Sequence, residues 1–261
     1  MRDGELVAFA EEERFIRQKH AHGKMPYNAM RFCLEEANIE FEDLEYLAFY
    51  YDVTRSLKHD WSVEPFFSHF RRHPRDLIGY CENLQMIRTS IEEFAQAVGV
   101  KLEILDHHDC HLASAFFLSP FDEANVLSID ARGELATAVL AKGKGASITR
   151  IQEVPMPHSL GMLYSAVTQF LGFSPFDGEG TVMGLASFGD GCRFEEQFAE
   201  IVFPTADGFL TRPEHYWSQS TVGWLSGVPN GLTRFFGEPR PYRKAPFNDV
   251  DEHIAASLQK A

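Results

Sequence analysis

The sequence has 261 residues, of which 44% are hydrophobic, so it can bury a sizeable core in one large domain or two small ones and is not a disordered chain. Its 38 acidic and 24 basic side chains give a formal net charge of -14, which repels a phosphate backbone and argues against nucleic acid as a partner. The four cysteines are widely spaced, no apolar run approaches the roughly 20 residues that cross a bilayer, and the start has no signal-peptide stretch, so we predict a cytoplasmic protein with no membrane partner.

The first element in chain order is a predicted tight turn. Asp3-Gly4 is a frequent hairpin turn, and the strand-like residues 5–10 follow it. A hairpin needs a first strand, but only two residues precede the turn. We therefore expect either that this turn is misread or that the partner strand of the hairpin is missing from the chain.

The rest of the first third alternates between helix and strand. Pro26 is well placed as an early helix residue, and residues 46–50 have the composition of a buried strand. Residues 54–98 are rich in aromatic side chains and mostly helical in pattern. We interpret this stretch as a helical insertion.

The central part predicts a helix followed by an antiparallel sheet. Asp106 follows a short strand at 102–105 and is a good N-cap for a helix over 107–117. A second helix is predicted at 161–171, ahead of the glycine-rich residues 177–189. Between the two helices, turn signals divide the chain into three strands of an antiparallel meander, at 124–130, 135–141 and 148–154.

The last part of the chain gives weaker signals. They indicate a helix near 195–201 and a loop-rich stretch through Gly237. Asn248 is typical of a helix start, and the helix that it predicts runs to the last residue without a glycine cap. Together with the missing hairpin strand, this favours a fragment over an intact domain.

His107 and His111 are candidate metal ligands. They stand four apart at the start of the central helix, which places their imidazoles on one face about 6 Å apart. Asp130 ends an apolar strand before a turn, a position that commonly points a carboxylate into a cleft. Two nitrogens and a carboxylate oxygen suit Fe(II), Mn(II) or Zn(II). An isolated His-x-x-x-His pair is more often two ordinary polar helix residues.

Rival ligands lie close to this pair. His108 and His111 are three apart and equally able to meet. Cys110 lies on the same face as His107, although a free cysteine there is more often a small buried residue. Asp109 offers a nearby carboxylate. Spacing alone leaves these alternatives open.

Other stretches could contact a phosphate-bearing ligand. The glycines of 177–189 could let backbone N–H groups approach a phosphate, although the pattern is neither a Walker loop nor a dinucleotide fingerprint. Ser159 and Gly161 precede a helix and either contact a ligand or cap that helix. A basic cluster near the start either recognises a phosphate or carboxylate or forms a surface salt-bridge patch, and it consists of Arg14, Arg17, Lys19 and His20.

Taken in order, these segments resemble the O-carbamoyltransferase family of nodulation-factor and antibiotic carbamoyltransferases. The resemblance implies an α/β chain with an actin-like, sugar-kinase-like fold of the ribonuclease H-like class, here incomplete. The matching stretches are Asp3-Gly4 with 11–20, His107-His108 with 111–115, Asp130 with Gly133-Glu134, 157–166, Gly178-Glu179-Gly180 with 182–186, and 254–259.

The resemblance also implies a function. In that family a separate downstream domain makes carbamoyladenylate from carbamoyl phosphate and ATP. The first domain then moves the carbamoyl group to a hydroxyl of a small-molecule acceptor, such as a sugar or another secondary metabolite. An acceptor hydroxyl is a very weak acid, so a histidine or carboxylate is expected as general base, and no residue is assigned to that role.

The family's metal, usually described as iron, is bound through a His-x-x-x-His pair and aspartates. Carried onto this chain, the resemblance selects His107, His111 and Asp130 as ligands of a divalent metal, which we expect to be Fe(II). The residues expected to bind the carbamoyladenylate or ATP cofactor are Gly133, Ser159, Gly161 and Gly180.

Some parts that the resemblance implies are missing. The family's first strand would lie before Met1, and a further metal-binding aspartate and a glycine-rich turn would lie beyond Ala261. The carbamoyladenylate-forming domain is absent as well. We interpret 1–261 as part of the N-terminal domain, with a metal-site core at 101–190 and, at 191–261, a peripheral segment and the start of a second half. The isolated chain is expected to bind metal weakly and not to turn over.

Two other functions stay open. A relative in tRNA threonylcarbamoylation or hydrogenase maturation would share the His-x-x-x-His pair, but the acidic charge argues against the tRNA version. The stretch 157–186, which is similar to the nodulation proteins, argues against both. The other alternative is a non-catalytic remnant that only binds a ligand or partner.

Overall fold

The chain is a mixed α/β protein that forms two compact units. The computed structural model describes residues 1–21, 24–58, 74–216, 230–242 and 246–261. One unit consists of Met1–Phe49 with Arg88–Ile104, and the other of Tyr50–Ile87 with Leu105–Ala261. Within these described stretches, every helix is too short or too polar to cross a bilayer.

Two parallel strands form the sheet of the first unit. Strand β1 (Tyr46–Phe49) pairs with β2 (Lys101–Ile104), from Tyr46 opposite Lys101 to Phe49 opposite Ile104. Parallel neighbours need a long crossover. The chain between the two strands contains the helices α3 (Val53–Lys58) and α4 (Pro74–Val98), which confirms the predicted helical character there, while residues 59–73 lie outside the described residues.

A buried glutamate holds the start of a helix in the same unit. Glu12 lies in α1 (Glu12–Ile16) and is 8% exposed. Its carboxylate accepts the backbone N–H groups of Asn28 and Ala29, both at 2.9 Å. These two N–H groups belong to the first turn of α2 (Tyr27–Ala37), where a helix supplies no partners of its own.

The predicted hairpin turn at the start is confirmed, but the predicted strand is wrong. Asp3 and Gly4 have φ angles of 53° and 87°, and the N–H groups of Arg2 and Glu5 each donate to the other's carbonyl at 2.9 Å. Residues 5–10 then continue outside any strand. A strand is held by a neighbouring backbone, and among the described residues this run pairs only at Glu5.

The second unit contains the predicted antiparallel meander. Its strands are β3 (Glu123–Ile129), β4 (Ala136–Lys144) and β5 (Ser147–Pro155), in the order β3-β4-β5. The helix α5 (His107–Phe116) precedes them and packs on one face of the sheet. Its buried Leu112 and Phe116 meet alternate residues of the strands, which anchors the helix that carries both candidate histidines.

A larger core follows in the same unit. It is built mainly from α6 (Leu160–Phe170), α7 (Glu179–Leu185), α8 (Glu195–Ile201) and α11 (Asp249–Lys260). The predicted helices at 161–171 and 195–201 are confirmed. Asn248 caps α11 in a capping box with Asp251, so the last predicted helix is confirmed too.

The stretch predicted to be loop-rich holds regular elements. A hairpin joins β6 (Val202–Thr205) to β7 (Gly208–Thr211), and two short helices follow, α9 (Pro213–Tyr216) and α10 (Asn230–Phe236). Strand β7 begins directly after the turn with Gly208, whose φ of 114° suits glycine. Residues 217–229 lie outside the described part.

Candidate metal centre

Asp106 fixes the start of the helix that carries the two histidines. Its side chain accepts the N–H groups of His108 at 3.0 Å and of Asp109 at 3.2 Å, as predicted for an N-cap. The guanidinium groups of Arg55 and Arg150 also pair with its carboxylate. Burial alone would raise the pKa of Asp106, but the charge and hydrogen bond of Arg150 outweigh burial and lower it.

Three donor atoms meet where α5 begins and β3 ends. Nε2 of His107 lies 2.7 Å from Oδ2 of Asp130 and 3.0 Å from Nε2 of His111. Nε2 of His111 lies 3.4 Å from the same Asp130 oxygen. The other oxygen of Asp130 accepts the N–H of Ala131 at 2.6 Å, which turns Oδ2 toward the histidines.

Hydrogen bonds within the cluster shift the pKa values of His107 and Asp130. The hydrogen bond to Asp130 raises the pKa of His107, although burial opposes it. Burial would raise the pKa of Asp130, but the hydrogen bond from His107 and the backbone N–H of Ala131 lower it to about 2. Asp130 is therefore an anion at neutral pH.

The donor set fits a divalent metal ion. Donors of a tetrahedral site with bonds of about 2.0–2.1 Å stand roughly 3.3 Å apart, close to the three separations in this cluster. Within the described residues, His107, His111 and Asp130 are the group of histidine, cysteine and acidic side chains whose donor atoms converge in this way. Two imidazole nitrogens and one carboxylate oxygen suit Fe(II), Mn(II) or Zn(II).

The rival ligands point elsewhere. His108 is 1% exposed, and its ring nitrogens lie 2.8 Å from Oγ of Ser128 and 3.0 Å from the carbonyl oxygen of Ala136. Burial lowers the pKa of His108, which keeps it neutral inside the unit. Asp109 pairs with Arg150 at 2.7 Å, and burial raises the pKa of the Cys110 thiol. The geometry thus favours His107 and His111 as candidate metal ligands over the neighbouring residues His108, Asp109 and Cys110.

A buried glutamate beside the cluster was not predicted as a site residue. Glu134 is 2% exposed, and its two carboxylate oxygens lie 3.1 and 3.2 Å from the backbone N of His107. It also accepts the N–H of Asp52 at 2.6 Å. Burial raises the pKa of Glu134, whereas these N–H groups act in the opposite direction. The sequence signal that could have identified Glu134 is its position as an acidic residue directly before an apolar strand.

Similarity to known proteins covers the whole chain, since residues 1–261 match the family described as carbamoyltransferase N-terminus. The chain belongs to this family. It is 33% identical over 270 residues to an uncharacterised protein of Synechocystis, which covers 99% of the chain and 43% of that protein. Nodulation protein NolNO of Sinorhizobium fredii is 32% identical over 207 residues, or 77% of the chain and 29% of that protein.

A second nodulation protein, NolO of Bradyrhizobium diazoefficiens, is 38% identical over 97 residues, which cover 37% of the chain and 18% of that protein. The chain therefore spans less than half the length of these relatives. The predicted membership of the carbamoyltransferase family, in its N-terminal part, is confirmed.

Three of the four residues predicted to bind a cofactor in this carbamoyltransferase domain lie around the cluster. A Cβ on Gly133 would lie 2.7 Å from Cδ2 of His108, and one on Gly161 would lie 2.6 Å from the backbone N of Ala131. Ser159 donates to the carbonyl of Ala131 at 2.7 Å and caps α6. These contacts fix the backbone beside Asp130, and contact with a cofactor stays a prediction.

The surroundings of two other predicted ligand-binding stretches are different. Gly180 is exposed in the first turn of α7, and a Cβ there would meet nothing within 4 Å. In the basic cluster near the start, Arg14 pairs with Glu11 at 3.2 Å and Glu13 at 3.5 Å. Those pairs match the alternative of a surface salt-bridge patch.

Proposed function

We propose that the chain is part of an O-carbamoyltransferase that moves a carbamoyl group from carbamoyladenylate to a hydroxyl of a sugar or other small-molecule acceptor. The observation that carries the proposal is the convergence of His107, His111 and Asp130 in a chain of the carbamoyltransferase N-terminus family. The finer fold that we propose for this domain is the actin-like, sugar-kinase-like class.

Carbamoyladenylate would be made from carbamoyl phosphate and ATP by another part of a longer protein. The length of the relatives supports this division, since the chain covers 43% or less of each of those described above. In the transfer, a bond forms between the acceptor oxygen and the carbamoyl carbon, and the bond from that carbon to the phosphate oxygen breaks. AMP leaves with the bonding electron pair, and the hydroxyl proton passes to a base.

The residues of the cluster are suited to a cation next to a phosphate. His107, His111 and Asp130 would hold a divalent metal, Fe(II) in our proposal, which supplies Lewis-acid chemistry and stabilises charge on phosphate oxygens. The anionic Asp130 contributes the negative charge that a divalent ion requires. The side chain of His111 is 48% exposed, so the cluster is accessible from solvent on that side.

Metal analysis and transfer assays test the proposal. The longer protein should retain iron, manganese or zinc on purification, and His107→Ala should abolish this retention. In the longer protein, consumption of carbamoyl phosphate and ATP should depend on the acceptor, and His107→Ala should abolish that too. His253→Ala is the control, because His253 accepts the N–H of Asp190 and lies outside the cluster.

The isolated 261-residue chain should bind metal weakly and show no turnover, because the proposed adenylate-forming part is not in it. A robust carbamoyl transfer rate from this chain alone would contradict that division of labour. Absence of any of the three metals, even in the longer protein, would contradict the metal-assisted mechanism and favour a non-catalytic, ligand-binding role.

A further inference from the structure

Glu134 holds two separate pieces of backbone with one buried carboxylate. Its Oε1 atom accepts the N–H of Asp52 at 2.6 Å and the N–H of His107 at 3.1 Å. Those donors lie 82 and 27 residues away in sequence. A charged carboxylate is costly to bury unless it is hydrogen-bonded, so its position in the fold depends on both donors.

The segment around Asp52 also contacts the side chain of His107. Nδ1 of His107 lies 3.3 Å from the carbonyl oxygen of Tyr50, two residues before Asp52. The hydroxyl of Tyr51 donates to the carbonyl of Gly133 at 3.3 Å. Residues 50–52 are therefore tied at two points to the pair Gly133-Glu134.

This arrangement determines which nitrogen of His107 is available to a metal. An imidazole that donates its Nδ1 proton to a carbonyl presents Nε2 as the ligand atom, and Nε2 is the atom that faces Asp130 and His111. Glu134 holds the backbone of His107 on one side and the segment that carries the Tyr50 carbonyl on the other. The Glu134 carboxylate thus fixes the positions of both His107, which donates this hydrogen bond through Nδ1, and Tyr50, whose carbonyl oxygen accepts it.

We infer that Glu134 is a positioning residue of the metal centre, which keeps Nε2 of His107 aimed at the metal by fixing the Tyr50 carbonyl against Nδ1. The inference rests on the metal-binding part of the proposed function. It assigns Glu134 no contact with metal or substrate.

The chain contains a matched control for the general effect of losing a buried carboxylate. Glu12 is also buried and also accepts two backbone N–H groups, those of Asn28 and Ala29. The groups that donate hydrogen bonds to Glu12 belong to Asn28 and Ala29 at the start of α2 and include none of the three proposed ligands. Removal of Glu12 should therefore reduce stability without changing metal binding.

The experiment is a Co(II) titration of the 261-residue chain, followed by the visible d–d absorption of the bound ion. Glu134→Ala should weaken Co(II) binding by about 10- to 100-fold, the usual effect of losing a residue that orients a ligand, and should alter the spectrum. Glu134→Gln should restore most of the affinity, because an amide oxygen in the place of Oε1 can accept both N–H groups. Glu12→Ala should bind Co(II) as the unchanged chain does.

Several results would overturn the inference. Glu134→Ala with the affinity and spectrum of the unchanged chain excludes a positioning role while leaving the proposed function intact. An equal loss in Glu12→Ala shows that both variants act through stability alone. If the unchanged chain fails to bind Co(II), the inference fails, and metal analysis of the longer protein then decides the proposed metal site. If circular dichroism shows Glu134→Ala unfolded, Glu134→Asp replaces it, since its shorter carboxylate cannot reach both donors, and the same outcomes apply.

Discussion

Nε2 of His107 lies 2.7 Å from Oδ2 of Asp130, while Nδ1 of the same ring faces the carbonyl oxygen of Tyr50 at 3.3 Å. Both neighbours are acceptors, so the ring satisfies both only when it carries two protons. The raised pKa of His107 agrees with this arrangement. A metal ion at the proposed site would therefore compete with a proton for Nε2.

We expect metal affinity to rise with pH. Below the raised pKa of His107 the ring must lose a proton before Nε2 can bind, which lowers the apparent affinity by about tenfold per pH unit. Above that pKa the dependence should level off. Asp130, with a pKa of about 2, stays ionised throughout and adds no step near neutrality. Co(II) titrations from below pH 6.5 to well above it measure the slope, and a flat profile contradicts the competition.

The contribution of His108 to stability should depend on pH with the opposite sign to that of His107. His108→Ala leaves Ser128 and the carbonyl of Ala136 without their ring partner and opens a cavity, at a cost of roughly 2 to 4 kcal/mol in the free energy of unfolding. Because burial lowers the pKa of His108, the unfolded chain takes up a proton that the folded chain refuses below pH 6.5. Stability from this residue is thus lost as pH falls.

Urea unfolding of the unchanged chain and His108→Ala at several pH values checks this effect. The difference between the two should shrink as pH drops below 6.5. The raised pKa of His107 has the reverse sign, since its contribution is complete below 6.5 and is lost as pH rises through the raised value. A difference for His108→Ala that grows on acidification would show that the ring is charged in the folded chain.

Gly133 should not tolerate a side chain. A Cβ there would lie 2.7 Å from the ring of His108 and 3.3 Å from Cβ of His107, so Gly133→Ala must displace the start of α5. We expect a loss of about 1 to 3 kcal/mol in stability and weaker Co(II) binding. Gly184→Ala is the control, because a Cβ in that helix meets nothing within 4 Å. It should leave binding unchanged and stabilise the chain by roughly 0.5 to 1 kcal/mol.

Removal of the N-cap of α5 should also weaken Co(II) binding at the proposed metal site. Asp106→Ala deletes the acceptor for His108 N and Asp109 N and should cost about 1 to 2 kcal/mol. Asn248→Ala removes the cap of α11 and should cost a similar amount. Only the first should weaken Co(II) binding. An equal effect of both on Co(II) affinity would mean that the cap acts through overall stability.

Local signals were enough to predict much of the fold. Asp106 and Asn248 were identified as helix starts because capping depends on a few consecutive residues. The turn signals between the strands at 124–130, 135–141 and 148–154 predicted the meander for the same reason. The hairpin at 202–211 was missed, although Asp207-Gly208 carries a usual turn signal. Residues 5–10 have a strand-like composition, but composition does not supply a partner strand.

The site shows where local reasoning stops. Spacing could not separate His107 from His108, because the two rings are distinguished by Asp130 and Ser128, each about twenty residues further along. Local sequence patterns could not identify Glu134, for a stronger reason. Its burial depends on backbone N–H groups 27 and 82 residues away, and only the folded chain brings those together.

The three proposed ligands and the Glu134 carboxylate all lie within residues 107–134, on one helix, the strand after it and the turn that follows. The sheet that supports them is complete at Pro155. During synthesis this region therefore leaves the ribosome well before the helices of the larger core have all been made. A metal ion could then stabilise the nascent chain before the domain is finished, so metal supply during expression, and not only after purification, should determine how much of the protein carries the ion.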